Sequence, residues 1–308
     1  MKTRHVNAII PILLLTMTCV FASGSVGAQA VGAPVGINVP ASPAHSAVLD
    51  EDPFEDFDPM NFDNPTTIDN EWFPLQPGMQ FIYEGTTTED DEVIPHRVVT
   101  TVTDLVKKID GVNTVVLWDQ DFSDDVLVET EIAFFAQDND GNIWRLGEYP
   151  EEYEDGEIVD APGWITGQQD AVAGIAVQAD PQLGTPSYSQ GWAPEVEFMD
   201  RAQVQAMGES LCSPLDCYED VLVVDEFNPE EPDAHQLKLY APGVGLVRVD
   251  WSGENEATQE FLELVEVAQL DEEALADARA AALELEQHAY EMLDEVFGET
   301  APAEQIMP

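Results

Sequence analysis

Apolar and polar side chains alternate with a period of two over a succession of short runs, the pattern of half-buried β-strands. The alternation predicts strands over residues 79–88, 93–104, 113–121, 126–137 and 142–148. The turn signals Glu89-Asp90-Asp91, Asp110-Gly111, Ser123-Asp124-Asp125 and Asn139-Asp140-Gly141 separate them. The clearest run is 126–137, where Val126, Val128, Thr130, Ile132 and Phe134 form one face and Glu129, Glu131 and Gln137 lie on the other. Residues 171–178 and 204–211 are further strand candidates. A meander without intervening helices argues against a parallel nucleotide-binding sheet, and no glycine-rich phosphate loop occurs.

The pattern is organised around residues 233–250, DAHQLKLYAPGVGLVRVD. Leu237 and Leu239 alternate with Gln236, Lys238 and Tyr240; Val247, Val249 and Trp251 alternate with Leu246, Arg248 and Asp250. Pro242 cannot donate to a ladder, and Gly243 and Gly245 accept positive φ, so the chain reverses between the two runs. The runs 221–226 and 258–267 extend this hairpin to a four-stranded meander. His235 falls on the face of Leu237 and Leu239. Lys238 and Arg248 are expected to share the opposite face, as a small basic spot or paired with neighbouring carboxylates.

After residue 270 the apolar spacing changes to three and four. Leu275, Ala278, Ala282, Leu285, Ala289, Leu293 and Val296 predict one helix over 271–297, with Glu272 and Glu273 complementing its dipole and Gly298 ending it. Its small residues permit close approach to a sheet. His288, near Glu284 and Glu291, has metal-capable spacing or is an exposed helix histidine beside carboxylates.

Two stretches lack periodicity. Residues 52–78 set Phe54, Phe57, Phe62, Trp72 and Phe73 among acids and prolines, which exclude a regular helix. They read as an extended strap whose aromatics dock on the domain, with carbohydrate stacking by Trp72 as the functional alternative. Residues 149–210 are punctuated by prolines and contain Trp164 and Trp192. Long irregular segments in compact domains are often functional, so a binding mouth is expected there.

Charge changes the picture most. The 308 residues hold 62 Asp and Glu against 10 Lys and Arg, a net charge of −52. That excludes ordinary nucleic-acid binding and adhesion to anionic membranes, which need cations. It suits a halophilic or marine setting, where concentrated salt screens self-repulsion, or binding of divalent cations such as Ca2+.

Lys2, Arg4 and His5 precede an apolar run over 8–22 and then Ala28-Gln29-Ala30, the pattern of an export signal over 1–30. Residues 31–51 read as a flexible leader and 299–308 as a tail. No later segment is long enough to span a membrane. Of the three cysteines, Cys19 falls in the signal; Cys212 and Cys217, five apart around Ser213-Pro214, are expected to close a disulfide loop.

DNPTTIDNEWFPLQPGMQFIYEG, AQDNDGNIWRLGEYPEEYEDG and YAPGVGLV together resemble a widespread group of exported, uncharacterised bacterial proteins, over roughly residues 52–290. The resemblance implies export and carries no catalytic residues across. The tyrosine-containing strand before Ala241-Pro242-Gly243-Val244-Gly245 is also similar to small envelope proteins with curved antiparallel sheets.

Candidate chemistry is sparse. Asp138-Asn139-Asp140-Gly141 fails the EF-hand register, because Ala136 and Gly147 occupy its first and twelfth positions. No G-x-S-x-G occurs. These readings predict one exported, mainly β domain over 52–298, a curved antiparallel sheet or open barrel with the C-terminal helix packed on it. The candidate ligand-contacting residues are His96, Asp119, Trp164, Trp192, His235 and Tyr240. Binding of an apolar or amphipathic ligand in the cell envelope or medium leads, without a cofactor. A carboxylate-dependent polysaccharide-active enzyme and a Ca2+-dependent surface or structural protein are the alternatives.

Overall fold

The computed structural model of the chain describes residues 54–89 and 92–306. The expected signal over 1–30, the leader over 31–51 and Cys19 lie outside the described residues. Five long strands come first: β1 (Met79–Glu89), β2 (Glu92–Ile109), β3 (Val112–Ser123), β4 (Val126–Gln137) and β5 (Ile143–Glu154). Each pairs antiparallel with the next. The irregular stretch that follows contributes short strands, β6 (Glu157–Asp160), β7 (Trp164–Ile165), β8 (Val172–Val177), β9 (Tyr188–Ser189) and β10 (Gly191–Trp192). A second meander runs through β11 (Arg201–Cys212), β12 (Cys217–Phe227), β13 (His235–Ala241), β14 (Gly245–Ser252) and β15 (Phe261–Gln269). The expected central hairpin is β13–β14, with β12 and β15 as its partners.

Two joints turn the meanders into one barrel-like sheet. β15 returns to pair with β1. At the other end β8 pairs with β5, β10 with β8, and β9 with β11. Only Gln190 separates β9 from β10, so residues 188–192 nearly close the sheet on itself. Closure requires glycine at position 174, because a Cβ there would lie 2.2 Å from the Gln190 carbonyl carbon and 2.2 Å from the Gly191 nitrogen. Gly174→Ala should therefore cost at least the ~1–3 kcal/mol of an overpacked core. Denaturant unfolding would show it as a lower midpoint; an unchanged midpoint would mean that residues 188–192 are not held against β8.

Helix α1 (Glu272–Met292) starts at Asp271, whose side chain accepts from the Ala274 N–H at 2.9 Å. The predicted single helix is interrupted at Leu293 and resumes as the one-turn α2 (Asp294–Phe297). Ala278, Ala282 and Ala289 are buried, as their spacing implied. Among the described residues His288 belongs to no group that could hold a metal ion; its Nδ1 lies 2.9 Å from Glu151 Oε1. Part of the expected tail is docked on the sheet: β16 (Glu304–Gln305) pairs with β2. Beneath it lies Lys107, fully buried, donating to Glu286 Oε1 at 2.8 Å, to the Tyr290 hydroxyl at 2.9 Å and to the Ala301 carbonyl at 2.9 Å.

The outer cover explains a reversal. Glu129 and Glu131 are only 2% and 1% exposed. They stand opposite Asp121 and Asp119 across the β3–β4 ladder, on the inner face of the barrel. The apolar residues Ile132 and Phe134 point the other way and are buried too, Phe134 with its ring 6.4 Å from that of Phe297. Alternation separates the two faces of β4 over residues 129–135, where both are largely buried and the acidic one faces inward; the register shift between Asp121 and Phe122 puts Val126 opposite Ser123, on the acidic face, and Val126 is exposed. The same holds for β13: Gln236, Lys238 and Tyr240 line the interior. Lys238 and Arg248 do not share a face, because the register shifts between Leu239 and Tyr240 and places Arg248 opposite Leu239. Lys238 pairs with Glu226 at 2.6 Å, and Arg248 with Glu263.

The strap docks by its aromatics as expected. Phe57 and Phe62 pack on Trp144, and Phe73 on Phe135 and Tyr240. Trp72 is buried in this packing, which removes the carbohydrate-stacking role. Asp138 accepts from the Asp140 and Asn142 backbone N–H groups and from Trp144 Nε1, so it builds the β4–β5 turn. The Cys212–Cys217 disulfide is formed at the tip of the β11–β12 hairpin.

Candidate functional site

The three segments that carry the resemblance meet at one end of the barrel. Asn70 Nδ2 donates to the Gly141 carbonyl at 2.8 Å, joining the strap to the β4–β5 turn. The Gly243 N–H donates to the Glu71 carbonyl at 2.7 Å, joining it to the β13–β14 turn. Proline at 242 and glycine at 243, with φ of 74°, let that turn reach the strap. Beneath this junction is a cavity of about 80 Å³. The strap residues Phe73, Pro74 and Leu75 and the turn residues Val244 and Gly245 border it at one end. Phe81, Val98, Leu117, Val249 and Leu262 supply apolar walls. A water needs roughly 10–15 Å³ on such a measure, so the space suits several waters or one short organic chain.

A few polar groups converge on these walls. Asp119, 3% exposed, projects from β3, and its Oδ1 has no hydrogen-bond partner among the described residues. Gln236 donates through Nε2 to Glu260 Oε2 at 2.6 Å, which leaves its Oε1 as a second buried acceptor without a partner. Lys238 also borders the cavity, but its charge is met by Glu226. Glu260 continues the network outward to His96, whose Nε2 lies 3.0 Å from Glu260 Oε1 and whose Nδ1 lies 3.2 Å from Asp121 Oδ1.

Burial dominates the electrostatics. It pushes the Asp119 carboxyl up to about 7, against a hydrogen bond from Thr100 and the charges of Arg145 and Lys238. Asp121, Glu129 and Glu131 are raised well above the ordinary carboxylate range, by burial first and by the neighbouring carboxylates second. Asp200 and Glu148 are raised by burial as well. Burial and mutual repulsion thus disfavour the ionised form of every one of these carboxyl groups. Among the described residues, no three His, Cys, Asp or Glu side chains are grouped so as to hold a metal ion.

Of the six candidate residues, Asp119 and Tyr240 line the cavity. His96 stands one residue behind it, linked through Glu260. Trp164 is buried elsewhere, donating to Glu148 Oε1 at 3.0 Å and packing on Phe198. Trp192 lies in the closing strand β10 against Phe54. His235 pairs with Asp225 on the outer face at 2.8 Å. Residues 149–210, where a binding mouth was expected, do not border this cavity; they border a smaller one of about 10 Å³, beside Trp164, Ala193 and Val196. Gln236 and Glu260 escaped the sequence reading, as did the role of Lys238. The available signal was Tyr240, an aromatic in register with Gln236 and Lys238 on what otherwise read as a solvated face.

Among the described residues no helix is long and apolar enough to cross a membrane. No protein-family model matches the chain, and no curated protein matches it. Two solved structures are similar to it. One, named as a "putative lipoprotein" from Parabacteroides distasonis, is 14% identical, covers 64% of this chain and 97% of its own, and has a TM-score of 0.37. The other, named as a "putative exported protein with YmcC-like fold" from Bacteroides fragilis, is 13% identical, covers 65% and 99%, and has a TM-score of 0.34.

Proposed function

We propose that the chain is an exported protein that holds a small amphipathic molecule in the barrel cavity. The observation that carries this reading is the cavity itself: apolar walls on most sides and two buried acceptors, Asp119 Oδ1 and Gln236 Oε1, without partners. Buried polar atoms are almost always satisfied, and two cavity-lining side chains that each keep an acceptor without a partner favour a molecule that can donate to them. Export rests on the signal pattern in residues 1–30.

Native mass spectrometry of the protein purified from its own host tests the reading. The wild type should carry a mass increment that disappears on denaturation. Val249→Trp, which fills the cavity from β14, should fold and lack the increment. A wild type of bare polypeptide mass, or a folded Val249→Trp protein that keeps its increment, would remove the proposal.

A further inference from the structure

Resting on the cavity reading, we infer that the molecule in the barrel presents a primary ammonium head, received by Asp119 and Gln236, which both line the cavity. Three observations lead there. Gln236 Oε1 is an acceptor, and so is the Asp119 carboxylate once ionised, so at pH 8 the head must donate rather than accept. Lys238, the cation that borders the cavity, is engaged at 2.6 Å by Glu226, which leaves no free positive charge to receive an anionic head. The acidic groups outnumber the cations around Asp119. Glu131 faces it across the ladder from β4, with Asp121 and Glu129 alongside, against Lys238 from β13 and Arg145 from β5.

An ammonium has three donors and one charge. It has a hydrogen for each of these two side chains and a third for a carbonyl or hydroxyl. A hydroxyl head has one hydrogen and must leave one acceptor bare. A carboxylate head would set charge against Asp119. The hydrocarbon end would lie along Leu117, Val98 and Val249, which line the same space.

Calorimetry with n-hexylamine, 1-hexanol and hexanoate, which share a chain and differ only in the head, separates the possibilities. In the wild type at pH 8, hexylamine should bind at least tenfold more tightly than hexanol, and hexanoate more weakly than either. Asp119→Asn should remove the preference, leaving hexylamine and hexanol within about twofold of each other. Should that variant not fold, the wild type gives the same readout by pH. Lowering pH from 8 to 5.5 protonates Asp119, so hexylamine should weaken while hexanol holds. Hexanoate binding as tightly as hexylamine, or a hexylamine preference that ignores both the substitution and the pH, would overturn the head-group inference and leave the cavity reading standing. If none of the three binds, the cavity reading falls, and this inference with it.

Discussion

Lys107→Met should lower the unfolding free energy by about 3–5 kcal/mol, the usual consequence of removing one partner of a buried ion pair. In a chain of this size that corresponds to a fall in Tm of roughly 6–20 °C. Lys107 sits on β2 with no solvent exposure, paired with Glu286. Its desolvation is offset by three acceptors drawn from different parts of the C-terminal region: Glu286 of α1, Tyr290 one turn later, and the Ala301 carbonyl beyond α2. The rings of Phe134, Tyr290 and Phe297 surround the ammonium at 5.8, 5.0 and 5.6 Å from their centroids. Methionine keeps the volume and loses all of these bonds, leaving the Glu286 carboxylate buried with only the Ala303 N–H donating to it.

The loss should be regional as well as global. Amide exchange should rise most at residues 301–306, where β16 meets β2. Adding Glu286→Gln removes the stranded charge while keeping an acceptor for Ala303, so the double variant should recover part of the lost Tm. A single variant within about 1 kcal/mol of the wild type would show that the helix and tail are held by their apolar contacts alone.

Lys107 also shows where sequence reading stops. The strand succession, the central hairpin with its two partners, the C-terminal helix and the disulfide were legible because each rests on a local signal: a period, a turn residue or a cysteine spacing. Pairing between distant segments carries no such signal. Nothing in residues 107 and 286 announces their contact, and nothing in the two-residue strands β9 and β10 announces that they close the sheet. Face assignment failed for a different reason. Period two separates two faces of a strand without saying which is inside. Polarity usually decides, since a polar face normally meets water. Here the outer face of β4 lies under α2 through Phe134 and Phe297, and the inner face carries Glu129 and Glu131. Asp119 and Tyr240 line the cavity, although Tyr240 lies on the strand face opposite Leu237 and Leu239. Gln236 and Lys238 were missed because they share Tyr240's face and were assigned to solvent.

That inward acidic face sets the response of the fold to pH. The protein should be most stable near pH 4 to 5 and should lose stability steadily as pH rises through 7. The sign follows from proton counting. Asp119, Asp121, Glu129, Glu131, Glu148 and Asp200 all have folded values raised above their unfolded ones. Between those limits the folded state binds more protons than the unfolded state, so the unfolding free energy falls with increasing pH. Their contribution is fully present below the unfolded carboxyl range and is lost as pH passes the folded values. Asp119 alone, raised from 3.8 to about 7, corresponds to on the order of 4 kcal/mol against its ionised form. The groups interact, so their effects do not add. Asp104, lowered by its bond to Arg279, opposes the trend at low pH, but it is one partly exposed group against six buried ones. Substituting Glu129→Gln and Glu131→Gln together removes two of the charges that face Asp121 and Asp119 across the ladder. Thermal melts at pH 4.5 and pH 8 should then show nearly equal Tm for variant and wild type in acid, and a variant more stable by at least 5 °C in base. A wild-type Tm that rises from pH 5 to pH 8 would mean that the inner carboxyls are ionised and matched by cations, and they would have to be read as a counter-ion store instead of a row of shared protons.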